Sequence, residues 1–150
     1  MSIYDELKSD HKQVSDMLGR LDEMSSRAIV AKKRLFEEMK TALTAHSRAE
    51  EKVFYDALKS AKDAHDIILE GYEEHHVLDV LLEEMIAIDP HDEKWAAKLS
   101  VLTENVKHHV EEEEGDIFKK ARKIFDTATA KKLGEEFVAT KEQMLQTAPT

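Results

Sequence analysis

The stretch LFEEMKTALTAHSRAEEKVFYDAL, residues 35–58, decides the fold. Within it Leu35, Met39, Ala42, His46, Glu50, Val53 and Ala57 recur in steps of three and four, the spacing of one helix face rather than of a strand. Two members of this stripe, His46 and Glu50, are polar where their neighbours are apolar. An ionised carboxylate on a core face is costly without a partner. The stripe therefore carries chemistry as well as packing.

The same period runs outward through almost the whole chain. A first helix over about 3–25 places Leu7, His11, Val14, Leu18 and Leu21 on one stripe. Ser25-Ser26 offers a break and a cap for the second helix, about 28–60. A third, about 64–88, carries Ile68, Tyr72, His75, Asp79, Leu82 and Ile86, and Asp89-Pro90 ends it because proline cannot continue the ladder. The fourth, about 92–124, aligns Leu99, Leu102, Val106, His109, Glu113 and Ile117. A shorter fifth helix, about 129–145, has Leu133, Phe137 and Met144 on one side and Thr127 or Thr129 as its cap. Four long helices with short connections predict an all-α, up-down-up-down antiparallel four-helix bundle over about 3–125, with the fifth helix over one end or face. The tail QTAPT is expected to fray.

Composition narrows the function classes. A length of 150 residues predicts one domain with a full core. The absence of cysteine excludes disulfides, thiolate zinc sites, iron–sulfur clusters and thiol catalysis. With 32 acidic against 22 basic residues the net charge is −10, which repels phosphate backbones and argues against nucleic acid as a partner. The opening MSIYDELKSDHK is charged where a signal peptide is apolar, and no apolar run is long enough to span a membrane. A cytoplasmic protein without a membrane partner is expected.

A doubled pattern of histidine and glutamate supplies the candidate site. His46 precedes Glu50 by four residues, and His109 precedes Glu113 by four. Each pair has its own upstream histidine after an acidic residue, in Asp10-His11 and Glu74-His75. Offsets of 64, 64, 63 and 63 map Asp10, His11, His46 and Glu50 onto Glu74, His75, His109 and Glu113. One such pair is commonly a surface contact, because both residue types abound on helices. Two pairs with matched partners on core stripes are a ligand set for two metal ions: His11, His46, Glu50, His75, His109 and Glu113.

The stripes also sort the remaining histidines. His75 shares its face with Leu78, Leu82 and Met85, whereas His76 lies on the rim with Val80 and Glu83. Val106, Leu102 and Leu99 stand behind His109, whereas His108 looks toward Glu104, Glu111 and Glu112 and so into solvent. His65 and His91 fall near helix ends. Tyr72 and Asp79 flank His75 on its seam and are either outer partners or extra ligands; ordinary packing and an inter-helix hydrogen bond are the favoured reading, since the matching first-half positions are Lys8 and Ser15. Imidazole with carboxylate suits iron, manganese or zinc. Trp95 and the methionines Met17, Met24, Met39 and Met85 read as packing.

SDHKQVSDML (9–18), HSRAEEKVFYDAL (46–58), EEHHVLDVLLEEM (73–85) and HHVEEEEGDIF (108–118) together resemble the hemerythrin-like, HHE cation-binding family. Tyr55 and Phe118, nine residues after His46 and His109, also match its pattern. The resemblance covers about residues 5–125. It implies a non-haem di-iron centre with two Fe ions and an oxo or hydroxo bridge: His11 and His46 on one iron, His75 and His109 on the other, Glu50 and Glu113 bridging. It further implies a protein that binds or reacts with a small oxidant (dioxygen, peroxide or nitric oxide). The alternative is a non-catalytic iron-binding or oxygen- and redox-sensing module. Oxygen-carrying members bear a histidine where this chain has Asp79, and a longer His-to-carboxylate spacing on the fourth helix. Ready autoxidation is therefore expected rather than reversible oxygen carriage.

Overall fold

A computed structural model describes residues 1–25 and 27–147. Its elements are α1 (Ile3–Glu23), α2 (Ile29–Glu50), a π-helical turn π1 (Glu51–Tyr55), α3 (Asp56–Leu58), α4 (His65–Ile86), α5 (Glu93–Glu112), a second π turn π2 (Glu113–Ile117), α6 (Phe118–Ile124) and α7 (Thr127–Thr147). The α2–π1–α3 and α5–π2–α6 runs are each one continuous rod. Five rods result, with no strand among the described residues. The packed pairs α1–α2, α2–α4, α4–α5 and α5–α1 close the antiparallel four-helix bundle.

Helix boundaries follow local chemistry. Ser2 and Asp5 form a reciprocal capping box at the start of α1. Asp92 caps α5 by accepting from the Lys94 amide at 2.9 Å. Two expected caps differ. Ala28, with no side-chain bond, precedes α2, while Ser25 Oγ accepts from the Arg27 amide in the turn; Ser26 lies outside the described residues. At α7 the cap is Asp126, whose Oδ1 accepts from the Thr129 amide at 2.7 Å, rather than either threonine. A carboxylate satisfies the orphan amides of a first turn more strongly than a hydroxyl does.

α7 spans 21 residues, the same as α1, and so exceeds the expected 129–145 at both ends. It lies along α1 and α2 and against π1. Gly134 permits its close approach to the start of the chain: a Cβ there would lie 2.5 Å from the Met1 carbonyl oxygen. Gln146 and Thr147 of the tail are helical, and residues 148–150 lie outside the described part.

Two apolar clusters fill the interior, one at each end. Ile3, Leu7, Phe54, Tyr55, Leu58, Ile68, Phe118 and Phe137 belong to the first. Leu18, Leu21, Met39, Leu82, Trp95 and Leu102 belong to the second. Each fully buried side chain of this size contributes roughly 1.5–3 kcal/mol. Between the clusters lies a polar belt of buried His11, His46, Glu50, His75, His109 and Glu113.

The π turns sit immediately after Glu50 and Glu113. In each, an amide bonds back five residues: Asp56 to the Glu51 carbonyl, Phe118 to the Glu113 carbonyl. A π turn inserts one extra residue, so the buried face continues on Phe54 and Leu58 while Ala57 is exposed. That corrects the straight-helix stripe through Ala57. On α4 the inward position at the helix end is Met85, and Ile86 is 50% exposed.

Candidate metal centre

The bundle assembles two groups of donors. Atoms of His11, His46, Glu50 and Glu113 converge in one, and atoms of Glu50, His75 and His109 in the other. Glu50 is common to both. Its Oε2 lies 3.6 Å from His46 Nε2, and its Oε1 lies 3.0 Å from His75 Nε2 and 3.8 Å from His109 Nε2. Glu113 spans the groups in the same way, with Oε1 3.1 Å from His11 Nε2 and Oε2 3.4 Å from His109 Nε2. Each carboxylate thus offers one oxygen to each half of the bundle.

Every imidazole is held from behind. The Nδ1 atom of His11 donates to Glu114 at 2.7 Å, that of His46 to Asp10 at 2.9 Å, that of His75 to Glu51 at 2.7 Å and that of His109 to Glu74 at 2.6 Å. A proton on Nδ1 leaves Nε2 as the inward donor atom and raises its basicity. The supporting carboxylates obey the sequence repeat. The residue before each upstream histidine holds the downstream one, and the residue after each glutamate holds the upstream one. Sequence reading registered the acidic residues before His11 and His75 but not their crossed use, because the partners lie on other helices. The signal was present in the same offsets of 64 and 63, which also relate Glu51 to Glu114.

The interior atoms fit a cation. His11 Nε2, His46 Nε2, both Glu50 oxygens and Glu113 Oε1 are buried with no hydrogen-bond partner, despite contacts near 3 Å whose angles are poor. Two imidazole nitrogens, His75 Nε2 and His109 Nε2, face each other at 3.2 Å. Buried polar atoms left this way cost about 1–3 kcal/mol each, and more when charged. Cations bound in the two groups would supply the missing partners. A family comparison agrees: the sequence model described as the hemerythrin HHE cation binding domain matches residues 2–121.

The chain belongs to the hemerythrin HHE cation-binding family.

Among solved structures, a hemerythrin HHE cation-binding domain-containing protein from Mycobacterium kansasii superposes with a TM-score of 0.84 at 21% identity, covering 97% of this chain and 88% of that one. A curated relative, a DNA nickase from Nostoc sp., is 28% identical over 146 residues, which are 97% of this chain and 41% of that protein. This HHE chain thus spans well under half of that relative.

Electrostatics in the HHE site follow from its buried charges. Burial alone would lower the His11 pKa, but the close Glu113 carboxylate and the charge of Glu50 outweigh it and raise it to about 9. His75 and His109 are likewise raised, against desolvation, by their glutamate partners. Burial would raise the Glu113 pKa, yet the close His109 and His11 imidazoles hold it well below the usual carboxylate range. A cation entering the site would replace the imidazolium protons as the countercharge.

Tyr55 is a site residue that sequence reading left as a family-pattern aromatic. It is fully buried, stacks on the His75 ring at 5.2 Å and donates from its hydroxyl to Glu113 Oε2 at 3.0 Å; that hydroxyl also lies 3.3 Å from His109 Nε2. Its repeat counterpart Phe118 has no hydroxyl. The room for the phenol comes from Gly71, the counterpart of Leu7, since a Cβ there would lie 2.8 Å from the Tyr55 oxygen.

Tyr72 and Asp79 stand outside the two buried donor groups. The Tyr72 hydroxyl donates to the Glu51 carbonyl at 3.4 Å, and Asp79 accepts from Arg48 at 2.9 Å. His76, His65, His91 and His108 are exposed, and His108 joins only a surface group with Glu74 and Glu112. Beside the four buried histidines lies a cavity of about 10 Å³, walled also by Val14, Leu43, Leu78 and Val106. That is room for about one water-sized molecule.

Proposed function

We propose that this HHE domain is a non-haem di-iron protein that binds or reacts with a small oxidant such as dioxygen, peroxide or nitric oxide. His11 and His46 would hold one iron and His75 and His109 the other, with Glu50 and Glu113 shared between them. The observation that carries the reading is the pair of donor groups joined through Glu50, with unpartnered nitrogens and oxygens aimed inward. Bound iron would supply redox chemistry and open coordination positions. The chain's own residues do the rest. Asp10, Glu51, Glu74 and Glu114 fix the imidazoles, and Tyr55 offers a hydroxyl proton beside Glu113. Val14, Leu43, Leu78 and Val106 keep the cavity beside the histidines small and largely apolar, which favours diatomic or peroxide-sized ligands.

Nicking of DNA is not carried over from the Nostoc relative. A net charge of −10 repels a phosphate backbone, and the buried donors face a cavity far too small for a nucleotide. No described helix is long and apolar enough to cross a membrane.

The test is anaerobic iron reconstitution followed by elemental analysis and an optical spectrum. Two irons per chain are expected; one or none after careful loading would overturn the di-iron reading. Stopped-flow mixing of the reduced protein with oxygenated buffer should show rapid autoxidation, and the ferric protein should respond to peroxide or nitric oxide. A long-lived adduct that releases oxygen under vacuum would instead make the chain a carrier.

A further inference from the structure

The four bundle rods repeat with an offset of 63–64 residues, but α7 has no counterpart, and it covers only one half of the site. One of its side chains meets His46 directly and a second reaches it through Asp10. The Phe137 ring meets the His46 ring edge-on at 5.7 Å. Lys141 Nζ donates to Asp10 Oδ1 at 2.7 Å, while Asp10 Oδ2 accepts from His46 Nδ1 at 2.9 Å. Lys141, Asp10 and His46 thus form one chain of hydrogen bonds from α7 to the outer nitrogen, Nδ1, of an imidazole whose Nε2 faces the site.

The other half is built differently. Glu74, the counterpart of Asp10, holds His109 at 2.6 Å, and no lysine or arginine among the described residues pairs with it. Its neighbours are instead His108 and Glu112. Glu51 behind His75 does meet Arg48, at 3.4 Å, but that guanidinium lies closer to Asp79, at 2.9 Å. Around His75 and His109 there are therefore four carboxylates, Glu51, Glu74, Asp79 and Glu112, to one arginine. Around His11 and His46 there are two, Asp10 and Glu114, to one lysine. A carboxylate behind an imidazole strengthens it as a donor. A cation bonded to that carboxylate draws the charge away again, and at 8% side-chain exposure Asp10 is poorly screened by water.

We propose that Lys141 of α7 tunes the centre through Asp10, making the His11/His46 position the weaker of two inequivalent metal positions. Asp10 and Lys141 are positioning and tuning residues that touch no ion themselves. The proposal rests on the two-metal reading above.

Stepwise titration of the full chain with Co(II), followed optically and by elemental analysis, tests both. The parent chain should bind two ions with separable affinities. Asp10→Asn keeps an acceptor for His46 without the charge and should weaken the second ion by about tenfold. Lys141→Met should tighten that same ion several-fold, closing the gap, while Lys141→Arg restores the parent titration. Opposite signs are the signature, because loss of structural support alone would weaken binding in both variants. If Lys141→Met does not fold, Lys141→Gln is read in the same way. Lys141→Met and Lys141→Gln that weaken the second ion, or leave both steps unchanged, would overturn the tuning role while the two-metal reading stands. Fewer than two ions in the parent chain would remove that reading, and the inference with it.

Discussion

At the scale of single residues, burial and partnership separate neighbours that look alike in sequence. His108 and His109 are adjacent, yet only His109 turns inward, with Glu74 behind it and Glu50 and Glu113 in front. His109→Ala should therefore lower metal affinity by more than about tenfold, and His108→Ala should leave metal content unchanged. Equal metal content in the two variants, by elemental analysis after dialysis, would mean the wrong neighbour has been assigned. Gly71 makes a sharper demand. An alanine there places a methyl 2.8 Å from the Tyr55 oxygen and 2.9 Å from Cζ, and the buried ring is stacked on His75 with nowhere to retreat. Gly71→Ala should cost about 1–3 kcal/mol as overpacking. The double variant Gly71→Ala/Tyr55→Phe should recover part of this in denaturant unfolding, since the closest clash is with the oxygen it removes. No recovery would place the strain in the α4 backbone instead.

At the scale of elements, the helices were legible because their apolar stripes have the period of an α-helix, and the inward histidines were legible because they lie on those stripes. The π turns were not. A π turn is one residue in excess of the helical period, and nothing in EKVFY or EEGDI marks it before packing forces it. The same blindness put Ala57 on the buried face and hid Glu51 and Glu114, which reach His75 and His11 from the turns beside Glu50 and Glu113. The length of α7 and its contact with Asp10 also escaped, because Lys141 on a helix surface reads as a solvated charge until a neighbouring rod supplies its partner. The π turn can be tested directly. Deleting Lys52, an exposed residue within π1, lets an ordinary α-helix connect Glu50 to Leu58 with both ends in phase. Helical content should survive while Glu51 rotates away from His75, and metal affinity should fall about tenfold or more. A deletion variant with parental affinity would show that the turn serves packing alone; circular dichroism and metal titration read the two properties separately.

At the scale of the whole molecule, a bundle has given up part of its core to a belt of buried charge, and its stability is therefore tied to protons and metal together. In protein stripped by a chelator, His11, with a pKa raised from 6.5 to about 9, together with the raised His75 and His109, stabilises the fold as imidazolium beside Glu50 and Glu113. A raised histidine contributes fully below its unfolded value, near pH 6.5. That contribution disappears as pH rises through the folded value, near pH 9 for His11. Glu113, Glu74 and Asp10 have lowered values and act in the opposite sense, losing their contribution only as pH falls through the acid range. The stripped chain should consequently lose thermal stability steadily from about pH 6.5 to about pH 9. Metal binding has the reverse dependence, because an ion must displace the imidazole protons before it can bind. Over the same range the loaded chain should hold or gain stability, since stabilisation by a ligand grows with its affinity. The unfolding midpoints of loaded and stripped protein should therefore diverge with rising pH. Parallel curves across that window would mean that the buried histidines are not the groups a metal ion displaces.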